Sequence, residues 1–294
     1  MKILFHNYAT PVSTESRYLT ASMQNAGLEA DIWANPQVSA YDMLDGFNPD
    51  VLVGHYKFLT SDMVKYLSNS TKKLVLNVTG ATQAELLSVE TLCDKLDLPF
   101  CFTNDFKFNV KSDPNRKFKI HTILPAADIF LSKKPKNPNS IIGLIGSEIT
   151  KEMSPIINGD KPHHLICTQE NQNFDFTAHS AQLSDLYSLY SKVIISGKID
   201  LLSSQLFFDS CLNSHSLEVL PIDSEKVLWS EFLEMVFEEP PTDAEKKDMT
   251  TTIKNQIMRN HLPFNRAQKL LELLGDNESA KKIENISKNI VKTP

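Results

Sequence analysis

The sequence predicts an α/β protein built from two Rossmann-like domains, each with a parallel sheet. Short apolar runs of strand type alternate with helical patterns along most of the chain. The strand-type runs are continuously apolar rather than alternating, which is typical of strands covered on both faces. The chain has 294 residues, of which 41% are hydrophobic and 22% are charged, so it is long enough to form two domains with cores of their own.

The first half opens with a β–loop–α–β pattern, the repeating unit of a parallel sheet. Residues 2–5 (KILF) form an apolar strand, a helical spacing of apolar residues runs from Thr14 to Gly27, and residues 30–33 form the next strand. The further elements predicted in this half are strands at 51–54, 74–78 and 100–102 and helices at 59–67 and 84–96.

The alternation restarts after a polar, proline-containing segment at 132–140. The elements predicted in this half are strands at 141–145, 165–167, 193–197 and 217–220, helices at 184–190, 203–212, 243–259 and 264–274, and a charged end. We therefore predict domains at 1–132 and 133–259. We expect residues 260–294 to form a C-terminal helix that packs back across the domains.

Composition narrows the function classes. The net charge of −6 argues against a surface built throughout for nucleic acid. Residues 101–136 nevertheless hold eight Lys and Arg against three Asp, whereas both flanking regions are acidic. None of the four cysteines forms a CxxC pair, so we expect reduced, buried thiols and no zinc site. The start MKILFHNY lacks the apolar stretch of a signal peptide, and no segment approaches the roughly 18 apolar residues of a membrane span. We predict a cytoplasmic protein, in the host cytoplasm if phage-encoded, and the sequence predicts no oligomeric state.

In a parallel α/β sheet, ligands bind at the carboxyl ends of the strands, so the loops at those ends are the candidate sites. The selected positions are His6-Asn7, Gly54-His55, Asn77 to Gly80, Thr103 to Asp105, Gly146 to Glu148, Thr168 to Glu170, Ser196-Gly197 and the start of the 203–212 helix. No GxGxxG follows the first strand and no GxxxxGK[ST] occurs, which argues against a dinucleotide oxidoreductase and a P-loop NTPase.

The segment 193–220 carries the clearest pattern for a nucleotide. Ser203 and Ser204 stand at a helix N-terminus, where free N–H groups and the helix dipole favour phosphate oxygens. Gln205 and Asp209 are four residues apart and share one helix face, where a carboxylate could accept both ribose hydroxyls. The alternative is that the two serines only cap a helix and that Asp209 is a solvated acid.

This segment resembles the donor-binding stretch of GT-B glycosyltransferases, especially the spore-protein CgeB-like group. Phe208-Asp209-Ser210 resembles a Phe-Glu/Asp-Ala helix centre of that family. Three more stretches are similar to family motifs in the same order: PDVLVGH at 49–55, IIGLIGSEITK at 141–151 and NHLPFNRAQKLLELLG at 260–275.

The resemblance implies a GT-B fold whose domains face each other across a cleft and clamp a nucleotide-sugar, with a UDP-sugar favoured. It implies that Gly146 and Ser147 approach the diphosphate with Lys151 as a charge partner, and that Asp209 takes the ribose. Ser147 stands where the family often has Arg, which leaves diphosphate neutralisation open. Tyr187 is a candidate for stacking near the base, and its alternative is a core aromatic.

His55 and His6 follow strands of the first domain, and a histidine is suited to deprotonating an acceptor hydroxyl near neutral pH. The alternative for each is a hydrogen-bonded loop histidine, and Asp105 is the carboxylate candidate for the same role. Metal-free donor binding is usual in this family and no DxD motif stands at a strand end, so we expect no metal ligands, no essential metal and no cofactor beyond the donor.

The acceptor stays open at the level of sequence. The basic segment is either a solvated linker or a polyanion contact centred on Arg116, Lys117 and Lys119. The second interpretation favours duplex DNA with a hydroxymethylated base, as in phage DNA, flipped into the cleft. A saccharide and a small hydroxylated molecule are the other acceptors. A non-catalytic nucleotide-sugar-binding protein and a nucleotide-sugar epimerase are the alternatives to transfer.

Overall fold

The computed structural model describes residues 1–6, 14–35, 37–107, 117–130, 139–168, 173–178, 180–237, 242 and 249–292. The chain forms two compact units. The first comprises Met1–Leu124 and Pro263–Pro294, and the second comprises Pro125–Leu262.

The first unit contains a six-stranded parallel sheet in the order β2-β1-β3-β4-β5-β6. Its strands are β1 (Ile3–His6), β2 (Ala30–Trp33), β3 (Val51–His55), β4 (Lys73–Asn77), β5 (Cys101–Thr103) and β6 (Ile120–Thr122). The three central strands β1, β3 and β4 are almost entirely buried, as their continuous apolar runs predict.

The helices that connect these strands are α1 (Thr14–Asn25), α2 (Ala40–Phe47), α3 (Ser61–Ser68) and α4 (Gln83–Glu90). Side chains cap the start of α2, α3 and α4. The Thr60 hydroxyl accepts the Met63 N–H at the start of α3, and Thr82 and Glu85 form a capping box at the start of α4. Leu44, Met63 and Leu86 project from α2, α3 and α4 into one cluster with strand residues such as Leu52 and Leu74.

The second unit contains a five-stranded parallel sheet in the order β11-β10-β7-β8-β9. Its strands are β7 (Ile142–Gly146), β8 (His163–Cys167), β9 (Phe176–Thr177), β10 (Lys192–Gly197) and β11 (Leu217–Pro221). Its helices are α5 (Ser154–Ile157), α6 (Ser180–Tyr187), α7 (Ile199–Leu202), α8 (Gln205–Asn213), α9 (Lys226–Val236) and α10 (Met249–Asn260).

An aromatic cluster stabilises the second unit. The Phe207 ring lies 5.4 Å from Phe208, 5.3 Å from Trp229 and 5.5 Å from Phe232, all in edge-to-face geometry. His261 also packs on Phe208, and its Nε2 bonds the Val236 carbonyl at 2.8 Å. His261 is therefore a core residue of the second unit.

The last two helices, α11 (Pro263–Leu273) and α12 (Asn277–Lys292), belong to the first unit, where α11 packs on α1. The units divide after Leu124 and Leu262, whereas the sequence predicts boundaries after 132 and 259. Residues from Pro125 onward join the second unit because the N–H of Ala127 donates to the His261 carbonyl and that of Asp128 to Asp209.

Several elements differ from those expected from sequence. The sequence predicts no element for α2, β6, β9 and α9, yet all four form. It predicts one C-terminal helix within 260–294, where the structure has α11 and α12. The strand predicted at 165–167 is longer in the structure, because β8 begins at His163. No helix within the described ranges combines the length and hydropathy that crossing a bilayer requires.

Candidate functional site

The strand order of the first unit places a switch point between β1 and β3, because the chain continues to β2 on one side and to β3 on the other. Side chains at the carboxyl ends of these strands line the crevice where ligands of such sheets bind. His6 ends β1 and His55 ends β3, so the structure brings these two predicted residues to one edge of the sheet.

His6 is enclosed in the first unit. Its side chain is 4% exposed and its ring centroid lies 4.5 Å from that of Trp33. It also lies against Gly54, where an added Cβ would lie 3.7 Å from the His6 Cβ. Burial lowers the pKa of His6 to about 4, so the imidazole is neutral at physiological pH and a weak base.

His55 is half-buried and already engaged with the backbone. Its Nδ1 accepts the Lys57 N–H at 3.3 Å, and its ring lies 4.8 Å from Tyr56 and 5.5 Å from Phe58. Burial lowers the pKa of His55, aided by Lys57 and opposed by a hydrogen bond with the Thr79 backbone and by Glu85. Local contacts therefore fix the orientation of the ring, and the lowered pKa favours its neutral form.

Asp105, the predicted carboxylate alternative, follows β5 and supports its own loop. Its Oδ1 accepts the Lys107 N–H at 2.9 Å, and its own N–H donates to the Thr103 hydroxyl at 3.1 Å. This is an Asx turn, in which the carboxylate caps the chain two residues on.

The predicted acceptor contacts fall near β6. Arg116 lies outside the described residues, and the Lys117 ammonium donates to Asp94 Oδ1 at 2.6 Å, which raises the pKa of Lys117. Lys119 is exposed. Burial lowers the pKa of His121, and the positive charges of Lys269 and Lys119 lower it further.

Sequence reasoning missed one polar pair at the same sheet edge. Asn77 ends β4, its Nδ2 donates to Glu15 Oε2 at 2.8 Å, and its Oδ1 accepts the Thr79 N–H at 2.9 Å. Burial raises the pKa of Glu15 to about 7, although the Asn77 hydrogen bond and the Arg266 guanidinium lower it. The sequence selects the Asn77 loop, but nothing in it connects that loop to an acid in the first turn of α1.

The second unit has its switch point between β7 and β10, which end at Gly146 and Gly197. A Cβ at position 146 would lie 2.8 Å from Met153 Cε and 3.0 Å from the Ser196 carbonyl oxygen, so any larger residue requires these groups to move. The buried hydroxyls of Thr150 and Ser196 lie 2.7 Å apart and join the segment after β7 to the end of β10. The predicted diphosphate site therefore coincides with a close approach of two backbones.

Ser147 and Lys151 follow β7. The Ser147 carbonyl accepts the Cys167 thiol at 3.7 Å. Lys151 is exposed and forms an ion pair with Asp223, which also binds Lys226 at 2.8 Å. These two lysines lower the pKa of Asp223 to about 2, and the hydrogen bond to Asp223 raises the pKa of Lys151.

The two serines that the sequence predicts at a helix start lie between α7 and α8. The Ser204 hydroxyl accepts the Leu206 N–H at 3.3 Å and donates to the Leu201 carbonyl at 2.6 Å. The Ser203 hydroxyl donates to the Ile199 carbonyl at 2.8 Å. Both hydroxyls are thus helix-end groups in this structure.

Gln205 and Asp209 share one face of α8, as their spacing predicts: Gln205 Nε2 donates to Asp209 Oδ1 at 2.9 Å. The same Asp209 oxygen accepts the Asp128 N–H at 2.8 Å, and Gln205 also donates to the Ala126 carbonyl. The pair therefore holds the segment that enters the second unit, a role that the sequence does not indicate.

Tyr187 is 0% exposed, so its ring presents no face for stacking on a base in this structure. Burial raises the pKa of its phenol well above the usual range, and Asp209 raises it further. Its position corresponds to the core aromatic of the alternative interpretation. Among the described residues, no group of three or more His, Cys, Asp or Glu side chains is placed to hold a metal ion.

No protein-family model and no curated protein sequence matches the chain. The chain is similar to the solved structure of HepE (Alr3699) from Anabaena in complex with UDP and glucose, with a TM-score of 0.52 and 10% identity over 94% of this chain and 99% of that one. It is also similar to a glycosyltransferase from Rickettsia africae, with a TM-score of 0.51 and 9% identity over 100% of this chain and 99% of that one. Together with the two parallel α/β sheets, these similarities show that the chain has the GT-B fold.

Proposed function

We propose that the chain is a glycosyltransferase that moves a sugar from a nucleoside diphosphate sugar, with a UDP-sugar favoured, to a hydroxyl acceptor. The observation that carries the proposal is the GT-B fold with candidate residues at the switch points of both sheets. HepE, which shares this fold, was solved with UDP and glucose. Fold alone does not fix chemistry, so the proposal also depends on the side chains at these edges.

In this proposal the second unit binds the donor. The diphosphate approaches the backbone at Gly146 and Ser147 and the first turn of α8, where N–H groups favour anions. Lys151 leaves its ion pair with Asp223 and pairs with the phosphates instead. Breaking the first pair requires little free energy because both side chains are exposed. Asp209, whose side chain is partly exposed, binds the ribose hydroxyls.

A thermal-shift series with UDP, UDP-glucose, GDP-mannose and NAD tests donor binding. A ligand that binds only the folded chain raises the melting temperature with concentration. We expect UDP and UDP-glucose to stabilise the protein, Asp209→Asn to weaken the shift, and the exposed control Asp160→Asn to leave it intact. A protein whose melting temperature no nucleotide changes would contradict the proposal.

We further propose that the chain is a CgeB-like enzyme whose acceptor is a hydroxymethylated base in duplex DNA. Its support is the basic balance of residues 101–136 and the exposed Lys119, which acts with Lys269 on His121. The test is transfer from UDP-glucose to a hydroxymethylcytosine duplex, with unmodified duplex as the control. Affinity for duplex that falls steeply with salt supports this acceptor, and no affinity at low salt excludes it.

The reaction products distinguish a transferase from the two alternatives, an epimerase and a non-catalytic binding protein. A transferase releases UDP and glycosylates an acceptor, an epimerase interconverts the free nucleotide-sugar, and a binding protein does neither. We also propose that transfer needs no metal, and activity that survives a chelator would support this. Activity that a chelator removes and Mg²⁺ restores would refute it.

A further inference from the structure

The first unit holds a carboxylic acid that the proposed donor site does not use. Glu15 lies in the first turn of α1, which is the first described helix after β1 along the chain. Its Oε2 accepts from Asn77 Nδ2 at 2.8 Å, and Asn77 ends β4. The carboxyl group of Glu15 therefore lies at the ligand-binding edge of the sheet.

The surroundings of Asn77 determine where this carboxyl group is held. Asn77 Oδ1 accepts the Thr79 N–H at 2.9 Å, so the amide has its oxygen toward the loop and its nitrogen toward Glu15. Asn77 is also the register partner of His55, which brings Glu15 to the strand end beside that histidine. Glu15 is partly accessible, whereas His6 is enclosed.

Neither histidine is well arranged to take a proton from a substrate. His6 is 4% exposed, with its ring against Trp33. His55 uses Nδ1 to accept the Lys57 N–H and bonds the Thr79 backbone as well. A general base must reach the proton that it removes, and these contacts would have to break first.

We propose that Glu15, and not His6 or His55, is the catalytic base that accepts the proton of the acceptor hydroxyl. The assignment rests on the proposed transfer activity. The acceptor oxygen forms its bond to the anomeric carbon as its proton passes to the Glu15 carboxylate. The bond between the anomeric carbon and the phosphate oxygen breaks, and the nucleoside diphosphate leaves with the electron pair. Glu15 then releases the proton to water.

The electrostatics of the site agree with this geometry. Burial raises the pKa of Glu15 to about 7, while Asn77 on β4 and Arg266 on α11 hold it lower than burial alone would. A base works best when its pKa lies near the working pH, so this carboxylate is a stronger base than an exposed one and is still largely ionised above pH 7.

The experiment follows UDP release from UDP-glucose, with water or added hydroxymethylcytosine duplex as the acceptor, and UDP affinity by calorimetry. We expect Glu15→Gln to lower the turnover rate about 10²-fold or more, the usual size of a general-base contribution, with the UDP Kd within about twofold of wild type. Glu15→Asp should recover part of the rate. Glu29→Gln, an exposed carboxylate in the same unit, is the matched control and should keep full activity.

The pH profile distinguishes a base from a structural residue. Wild-type turnover should rise through a pKa near 7, and Glu15→Gln should lose that rise. A Glu15→Gln protein with near wild-type turnover, or one that keeps the rise while His55→Gln loses it, would overturn the assignment and leave the transferase proposal standing. A wild-type protein that binds UDP without turnover, or does not bind it, would overturn both.

Discussion

The burial of Glu15 predicts that stability of the first unit falls as pH rises through neutrality. Its folded-state pKa of about 7 exceeds the ordinary value of 4.5. Between these two values the folded chain keeps a proton that the unfolded chain releases, so the free energy of unfolding decreases with pH. At 1.36 kcal/mol for each pKa unit, the full effect is up to about 3 kcal/mol between pH 4.5 and pH 8.

Glu15→Gln removes this titration and keeps an oxygen that can accept from Asn77. The variant should have wild-type stability near pH 5 and exceed it by up to about 3 kcal/mol at pH 8, since the cost of burying a charge is gone. The matched control Glu29→Gln, at an exposed side chain, should show a constant difference from wild type.

The assay is urea unfolding between pH 5 and pH 9 in a Trp229→Phe background. The chain has two tryptophans, so Trp33, buried in the first unit, is then the sole tryptophan reporter. His6, beside Trp33, stays neutral over this range and does not change the signal by titrating. Parallel stability curves for Glu15→Gln and wild type from pH 5 to pH 8 would refute the reasoning.

Three further predictions concern packing and capping, and all are measured by urea unfolding. Gly146→Ala should destabilise the second unit by about 1–3 kcal/mol because the added Cβ meets the Ser196 carbonyl. Trp229 fluorescence in a Trp33→Phe background reports this unfolding. Gly46→Ala, whose Cβ meets nothing within 4 Å inside α2, should instead be neutral or stabilising by up to about 1 kcal/mol, and equal losses in the two variants would contradict the argument. Asp209→Ala should lower the free energy of unfolding by about 1–3 kcal/mol because the Asp128 N–H loses its acceptor, and Asp209→Asn should lower it less. An Ala variant as stable as wild type would contradict this role of Asp209. Thr82→Ala removes the cap of α4 and should lower the free energy of unfolding of the first unit by about 1 kcal/mol, whereas Thr82→Ser should largely keep the cap. An equal loss of stability in both variants would exclude capping as the cause.

Local patterns in the sequence were sufficient for much of the architecture. Continuous apolar runs predicted the buried strands β1, β3, β4, β7 and β10, because strands covered on both faces need apolar residues on both. The spacing of Gln205 and Asp209 predicted a shared helix face, and the two side chains are hydrogen-bonded. The rule that ligands bind at the carboxyl ends of parallel strands selected His6 and His55, and both lie at one edge of the first sheet.

Other elements depended on packing partners that the sequence does not reveal. The 16-residue helix α12 lies in the charged end of the chain, where polar and charged residues outnumber apolar ones. It forms with Ala280, Ile283 and Ser287 buried, in contact with α11, and Glu–Lys pairs such as Glu278–Lys282 lie along its exposed side. Helical stability here comes from a neighbouring surface rather than from the segment itself.

The sequence by itself determined that the chain forms two parallel sheets, most of their strands and the loops that could bind a ligand, because these follow from short-range spacing. Only the tertiary structure decided that Tyr187 is buried, that Asp209 accepts from Asp128, 81 residues away, and that Glu15 meets Asn77 across 62 residues. The physical reason is that the strands that become neighbours determine which side chains are buried and which form long-range hydrogen bonds. Burial and the hydrogen bond to Asn77 then determine the pKa of Glu15 and its place at the sheet edge.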